Sequence, residues 1–307
     1  MRRRRLREDL TTSDARLAAE YLDALKHQRR LSPATLGNYA RALQLLVAFP
    51  NVALKDLDAS QARRFVAVLH AKGLAPRTLA LTLSAWRGFF RWLVRSKGFA
   101  VNPVVGVRAP KAPRPLPKAL SVEQAAQLLD GGGGDEVALL RDRAMFELLY
   151  SSGLRLAELV ALDVHDGRLD LREAEVTVTG KGSKTRTVPV GARARDALRA
   201  WLEVRARLAA PEEPALFVGA RGRRISPSLV GSRLRAWAAR AGLGQHVHPH
   251  MLRHSFASHV LQSSQDLRAV QELLGHASIS TTQVYTHLDF QALAKVYDAA
   301  HPRARKK

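Results

Sequence analysis

The sequence of 307 residues contains no cysteine, which excludes disulfide bonds, thiolate metal sites and cysteine nucleophiles. No apolar run comes close to the roughly 18 residues that a membrane-spanning helix needs. The basic segment from Met1 to Asp9 is not followed by an apolar stretch, which argues against a signal peptide. We therefore expect a cytoplasmic protein with no membrane partner.

Acidic residues are also scarce, since 27 Asp and Glu stand against 49 Lys and Arg, giving a formal net charge of +22. Such an excess indicates a polyanionic partner, and nucleic acid is favoured over an anionic membrane surface. The charge is uneven: residues 1–116 hold 22 basic and 7 acidic residues, net +15, against 27 and 20, net +7, for 117–307. An apolar fraction of 46% excludes disorder of the whole chain.

The first third of the chain has the patterns of helices. Ser32 followed by Pro33 is a strong helix start, and Pro76 opens a second clear helix. Ser13 with Asp14, and Ser60, are the starts that we predict for two more helices. Four helices joined by short loops predict a small helical bundle.

A proline-rich stretch with five prolines follows between Asn102 and Pro117. Such a segment cannot be helical and marks the best domain boundary in the chain. We assign residues 1–107 to an N-terminal DNA-clamping domain, 108–118 to a linker and 119–307 to a second domain.

The second domain is predicted to be mostly helical with one small sheet. Ser121 to Gln124 forms a capping-box pattern. Three short segments, Arg168–Leu171, Glu175–Thr179 and Thr185–Val190, predict a three-stranded antiparallel sheet. The glycine run 131–134 lacks the Lys-Ser/Thr of a phosphate-binding P-loop and is interpreted as a surface loop. The fold class is therefore mainly α.

Five histidines lie between His246 and His259. A metalloprotease helix would need Glu where Met251 stands, and no nearby carboxylate completes a ligand set, so we predict no metal site. His250 and Arg253 are three residues apart and share a helix face, a pairing that suits an anionic oxygen. A structural role fits His246, His254 and His259.

Other candidate groups are ordinary when each is considered alone. Arg155 follows a helix-ending glycine and has the spacing of an i,i+3 ion pair with Glu158. Lys181 lies in a glycine-flanked turn that resembles a solvated hairpin. His276 and Tyr285 belong to plain helical and loop sequence.

In order along the chain, these groups form five motifs, which read Gly-Leu-Arg155-x-x-Glu-Leu, Gly-Lys181-Gly-x-Lys, His250-x-Leu-Arg253-His, Leu-Gly-His276 and Tyr285. This set resembles the active site of the tyrosine recombinases, the phage integrase family. The resemblance covers the whole chain and implies that residues 1–107 form a SAM-like core-binding domain of four helices. Residues 263–276 and the tail from Tyr285 resemble the XerC branch of the family.

The resemblance implies a role for each group. Tyr285 is the nucleophile that forms a 3′-phosphotyrosyl bond, with Tyr297 as its nearest rival. Arg155 and Arg253 hold the non-bridging phosphate oxygens together with His276. The remaining roles are Lys181 as general acid, His250 as general base or proton relay, and Glu158 as an orienting group. No metal, cofactor or ATP is implied.

The resemblance also implies the partners. These are double-stranded DNA with two recombination sites and a XerD-like recombinase in a heterotetramer, with a DNA translocase as a further candidate. The implied function is resolution of chromosome dimers at a dif-type site during cell division. The tail Asp289–Lys307 would dock on a neighbouring subunit, or pack on its own domain.

Three alternatives remain open. An integrase or resolvase of a mobile element would share every catalytic residue. A non-catalytic DNA-binding architectural protein would explain the charge alone. A metal-dependent nuclease would need a carboxylate cluster that the sequence lacks.

Overall fold

The computed structural model describes residues 2–29, 31–49, 52–111, 119–131, 136–180, 185–275 and 287–304. Side chains are described in these ranges except at residues 2–12, 34 and 287–292. The chain divides into two compact units, Met1–Arg114 and Pro115–Lys307. None of the helices within the described ranges is long and apolar enough to cross a membrane.

The described part of the first unit is a bundle of helices around an aromatic core. Its α-helices are α1 (Arg2–Gln28), α2 (Pro33–Val47), α3 (Ala59–Ala71) and α4 (Pro76–Ser96), with a 3-10 turn at Leu54–Asp56. Trp86, Phe89 and Phe90 on α4 are fully buried, because they recur at the spacing that keeps one face of a helix inward. The Trp86 indole N–H donates to the Ala42 carbonyl at 2.7 Å, so α4 is held on α2.

The helix starts test the sequence predictions. Ser32 accepts a hydrogen bond from the Thr35 N–H ahead of Pro33, as predicted, and α4 begins at Pro76. The predicted start at Ser13 and Asp14 is wrong, since α1 begins at Arg2. Asp14 instead accepts from the Leu54 N–H at 3.1 Å and so ties α1 to the following 3-10 turn.

The third helix also begins before the predicted residue. Asp58, not Ser60, is the N-cap of α3, and it forms a capping box with Gln61. Ser60 donates its hydroxyl to the Asp58 carboxylate at 2.6 Å. Ser60, which the sequence predicts as the start of the helix, therefore lies in the first turn and supports the N-cap Asp58.

The second unit is mainly helical and includes a small sheet, which confirms the predicted fold class. Its described helices and strands are α5 (Val122–Asp130), α6 (Val137–Ser151), α7 (Leu156–Val160), β1 (Leu169–Asp170), β2 (Glu175–Thr179), β3 (Thr185–Pro189), α8 (Ala192–Val204), α9 (Pro227–Arg240), α10 (Pro249–Ser264), α11 (Leu267–Leu274) and α12 (His287–Ala300). A 3-10 turn, Arg205–Arg207, follows α8. The predicted capping box starts α5, with Ser121 accepting from the Gln124 N–H.

Helix α6 lies at the centre of this unit and is buried on all sides from Ala144 to Ser151. A helix surrounded by protein is apolar all round and can carry charge only where partners are supplied. Asp142, fully buried, receives Arg141 at 2.7 Å and Arg233 from α9 at 2.5 Å. The pair with Arg233 fixes α9 against α6.

The sheet is antiparallel in the order β1-β2-β3, as predicted. Val176 and Val178 of β2 face the core, and Val188 of β3 does the same opposite Val176. Arg186 occupies the inward position opposite Val178, where strand alternation calls for an apolar residue. The turn that joins β2 to β3 at residues 181–184 lies outside the described residues.

The C-terminal helix α12 packs on its own unit, against α10 and β3, which is one of the two placements considered for the tail. Docking on a neighbouring subunit stays a prediction. Tyr297 is buried, as expected for this rival of Tyr285, and its hydroxyl bonds Ser151 Oγ at 2.7 Å. Beyond the helix, Arg303 binds the Glu147 carboxylate and reaches Asp130 at 2.9 Å. The tail is thus anchored by buried polar contacts to α5 and α6.

The predicted linker 108–118 lies mostly outside the described residues. Residues 108–111 are described, non-helical, and follow Val107, which is buried in the first core. The boundaries of the two domains and of the linker stay predictions.

A buried histidine makes the second unit sensitive to acid. Burial lowers the pKa of His301 from 6.5 to about 3. Between these pH values the histidine is therefore protonated in the unfolded chain and neutral in the folded chain. The free energy of unfolding should therefore fall as the pH drops below 6.5. In urea unfolding from pH 7.5 to 4.5, His301→Phe should flatten this decline by up to about 1.4 kcal/mol per pH unit.

His301→Gln is the matched comparison, because it also cannot titrate but loses the ring stacking on Tyr297, whose centroid lies 4.9 Å away. Both variants should flatten the decline, whatever their stability at pH 7.5. A decline as steep in both variants as in the unsubstituted protein would contradict the assignment.

Candidate active site

The first candidate residue, Arg155, lies at a sharp turn between α6 and α7. Gly153 ends α6 with φ +57°, and a Cβ there would stand 2.5 Å from the Phe256 ring of α10. Only glycine satisfies both the left-handed backbone and this close approach. The turn delivers Arg155 to the N-cap of α7, where its N–H donates to Glu158 Oε2 at 2.8 Å.

Glu158 accepts hydrogen bonds from two arginines of the site, and its side chain is only 3% exposed. Arg155 Nη1 donates to its Oε1 at 2.7 Å, the ion pair that the spacing predicts. Arg186 donates to both carboxylate oxygens at 2.8 Å each. Burial alone would raise the pKa of Glu158, but the bonds from Arg186 and Arg155 outweigh it and lower the pKa to about 2.

Arg253 reaches the same place from α10 and is buried. Its Nη1 donates to the Gly153 carbonyl, and its Nη2 to the Leu274 carbonyl at 2.5 Å. Burial, with the positive charges of Arg155 and Arg186, lowers the pKa of Arg253 to about 10. The guanidinium therefore keeps its charge at neutral pH, although it is buried and close to two like charges.

Three arginines meet at the C-terminal end of α11. Arg186 Nε donates to the Leu273 carbonyl at 3.0 Å, Arg253 to that of Leu274, and Arg155 Nη2 to that of Gly275 at 3.3 Å. These carbonyls are the negative end of a helix dipole, which attracts cations. We call the set Arg155, Glu158, Arg186 and Arg253 the arginine cluster. With three guanidiniums and one carboxylate, it carries an excess of positive charge suited to an anionic phosphate.

The histidines of the 246–259 segment have different environments. The sequence predicts that His250 and Arg253 share a helix face. In the structure His250 is exposed at the start of α10, whereas Arg253 is buried. His259 has the predicted structural role, bonding the Tyr150 hydroxyl at 2.8 Å and the Leu120 carbonyl at 2.9 Å. His246 and His254 are exposed instead. Within the described ranges, no three His, Cys, Asp or Glu side chains are placed to hold a metal ion.

Three of the predicted catalytic residues, Lys181, His276 and Tyr285, lie outside the described residues. Their positions stay predictions. The described residues come immediately before two of them, since Gly180 precedes Lys181 and Gly275 precedes His276.

The sequence reasoning missed Arg186. It lies two residues after the Gly-Lys-Gly-Ser-Lys turn and was interpreted only as part of a β-strand. The alternation of β3 gave a usable signal, because Arg186 shares a face with Val188 and so had to be buried. A buried arginine needs acceptors for its donors, and Glu158 is the carboxylate that receives Arg186.

Comparison with known proteins assigns the family. Residues 118–292 match the Phage integrase family, and residues 18–97 match the phage integrase N-terminal SAM-like domain. The chain belongs to the phage integrase family. A curated relative, tyrosine recombinase XerC of Ralstonia pickettii, is 55% identical over 309 residues, covering 94% of each chain.

Solved structures agree with this assignment. XerH recombinase in a pre-cleavage complex with its difH substrate is 25% identical, with a TM-score of 0.65 over 92% of this chain and 83% of that one. A lambda integrase dimer on a COC′ core site, 17% identical, shares the fold with a TM-score of 0.68 over 88% of this chain and 99% of that one. The chain is a XerC-like, tyrosine-type site-specific DNA recombinase.

The close approach at the end of α11 yields a stability prediction. Gly275 has φ +63°, and a Cβ there would stand 2.9 Å from Arg186 Cδ. Gly275→Ala should lower the free energy of unfolding by about 1–2 kcal/mol, because the left-handed backbone and the contact both oppose the methyl group. Thermal unfolding followed by circular dichroism measures this change.

Gly244→Ala is the control, since no atom lies within 4 Å of its added Cβ. It should unfold within about 0.5 kcal/mol of the unsubstituted protein, as most surface substitutions do. Equal stabilities for the two variants would show that the end of α11 is not closely packed on Arg186.

Proposed function

We propose that this recombinase cuts and rejoins DNA through a 3′-phosphotyrosyl intermediate and, together with a XerD-like partner, resolves chromosome dimers at a dif-type site. The observation that carries the chemistry is the convergence of Arg155 and Arg253 on two consecutive carbonyls next to His276. Two guanidiniums directed at one point match the two non-bridging oxygens of a phosphodiester.

In the proposed cleavage step, the Tyr285 hydroxyl attacks the scissile phosphorus. The bond to the 5′-oxygen breaks, and Lys181 gives that oxygen a proton, so that a 5′-hydroxyl leaves. His250 accepts the tyrosine proton directly or through water; its exposure on α10 leaves it accessible to DNA. The phosphate is then joined to the protein by an ester of similar energy to the bond that was cut.

The charge that develops on the phosphate oxygens is stabilised by Arg155, Arg253 and His276 in this proposal. A planar guanidinium presents two parallel N–H donors in a fixed fork, a geometry that an ammonium group lacks. Glu158 remains ionised, because its pKa is about 2, and orients Arg155 without exchanging protons. Rejoining reverses the step with the 5′-hydroxyl of a second strand, so no external energy source is required.

The proposed biological role follows from the relatives. The XerC of Ralstonia pickettii matches this chain over 94% of each sequence, and the match to the Phage integrase family, residues 118–292, includes Tyr285. We propose that the protein acts on two sites in double-stranded DNA in the cytoplasm. It would act in a heterotetramer with a XerD-like recombinase, under the control of a DNA translocase during cell division.

The nucleophile can be tested with a nicked suicide duplex that carries the dif-type site of the same genome. In the presence of EDTA, the protein and its partner recombinase should form a denaturation-resistant adduct with the DNA. Tyr285→Phe should abolish the adduct of this chain, because phenylalanine has no attacking oxygen. Denaturing gel electrophoresis with labelled DNA measures the adduct.

Tyr297→Phe is the matched control, because Tyr297 is the nearest tyrosine in sequence and is buried on Ser151. It should keep the adduct. An adduct that survives in Tyr285→Phe, or that is absent from the unsubstituted protein, would overturn the proposed chemistry.

The phosphate clamp can be tested by Arg253→Lys. Loss of a two-pronged donor should lower the single-turnover cleavage rate by about a hundredfold or more, measured at saturating DNA. Arg205→Lys is the control, since Arg205 also binds carbonyls, those of Glu213 and Ala215, outside the arginine cluster. Equal rates for the two variants would contradict the clamp.

A further inference from the structure

Arg186 is buried where a strand normally carries an apolar side chain. It is 8% exposed, faces inward from β3 and pairs across the sheet with Val178. A buried guanidinium is costly unless each of its donors is matched by an acceptor. Its presence therefore depends on groups placed to receive it.

Those groups belong to the candidate site. Nη1 and Nη2 of Arg186 donate to the two oxygens of Glu158 at 2.8 Å, and Nε donates to the Leu273 carbonyl at 3.0 Å. This two-pronged arrangement fixes both the position and the rotation of the carboxylate. The same carboxylate binds Arg155 twice, through its backbone N–H and through Nη1.

Arg186 also contacts the end of α11 through its aliphatic stem. The space beside Gly275 is filled by its Cδ, which lies 2.9 Å from the position of an added Cβ. Gly275 immediately precedes His276, and Arg186 follows the 181–184 turn after one residue, Thr185. One side chain thus ties together the segments that lead to Lys181, Arg155 and His276.

We propose that Arg186 is a positioning residue of the cleavage reaction, which sets Arg155 through Glu158 and fixes the end of α11 ahead of His276. The inference rests on the proposed function. It does not require Arg186 to touch DNA, because all three of its donor nitrogens point to protein acceptors. Its loss removes the two bonds from the β3 side that fix the rotation of Glu158 and leaves only those from Arg155. A phosphate-binding group displaced by about 1 Å costs on the order of a hundredfold in rate.

The test is Arg186→Met, which keeps the stem against Gly275 and removes the guanidinium. The matched control is Arg141→Met. Arg141 is 3% exposed and binds one carboxylate, Asp142, and one carbonyl, that of Val218, outside the arginine cluster. Both variants lose a buried guanidinium with the same kinds of partner, so both should lower the thermal midpoint.

The readouts are the Kd for the nicked dif-type duplex and the single-turnover rate of adduct formation at saturating DNA, well below both thermal midpoints. Arg186→Met should lower the rate by about a hundredfold with a Kd within about threefold of the unsubstituted value. Arg141→Met should keep both values within about threefold. Arg186→Lys should remain at least about tenfold slow, because an ammonium lacks the planar fork that fixes the rotation of the Glu158 carboxylate.

A double substitution ties the effect to Glu158. If Arg186 acts through that carboxylate, Arg186→Met should cost little further rate in a Glu158→Gln background. A rate for Arg186→Met within threefold of the unsubstituted protein, or a rate loss equal to that of Arg141→Met, would overturn the inference while leaving the proposed function intact. Absence of any adduct with the unsubstituted protein would overturn the proposed function and the inference with it.

Discussion

The buried carboxylate of Glu158, bound by Arg155 on one side and Arg186 on the other, is the interaction on which the rest of the site depends. Like-charged guanidiniums repel one another, and burial removes the water that would screen them. A single anion between two of them offsets that repulsion. It also fixes their orientation, because both oxygens are used.

The end of α11 supplies the second half of this arrangement. Its last carbonyls receive one donor each from Arg186, Arg253 and Arg155, in chain order from Leu273 to Gly275. The carbonyls lower the cost of bringing three cations together, and the positive φ of Gly275 turns the chain towards His276. A helix terminus thus organises the cations that a phosphate would meet.

Much of the fold could be predicted because it depends on local signals. The start at Ser32 with Pro33 and the capping box at Ser121 are encoded within one turn of helix. Ser13 failed as a start, because the residues before it continue the helix and Asp14 serves a contact 40 residues away. The anchoring of the tail through Arg303 could not be predicted either, since its partners Glu147 and Asp130 are distant in sequence.

The candidate site shows the same division. Arg155, Glu158 and Arg253 could be named from motifs and spacing, and the described chain brings them together. Arg186 was missed, because its role arises from bonds to Glu158 on α7 and Leu273 on α11, which are distant in sequence, and not from any motif. Lys181, His276 and Tyr285 lie outside the described residues, so their places rest on the family pattern.

The most direct test of this account is the pH dependence of single-turnover cleavage by Glu158→Gln at saturating DNA. If Glu158 stays ionised and only orients the arginines, the variant should cleave about a hundredfold more slowly than the unsubstituted protein. This factor should be the same at every pH from 6 to 9, so the shape of the profile should not change. A profile that loses one of its limbs would show that Glu158 exchanges protons during cleavage. An unchanged rate would show that the arginine cluster does not depend on it.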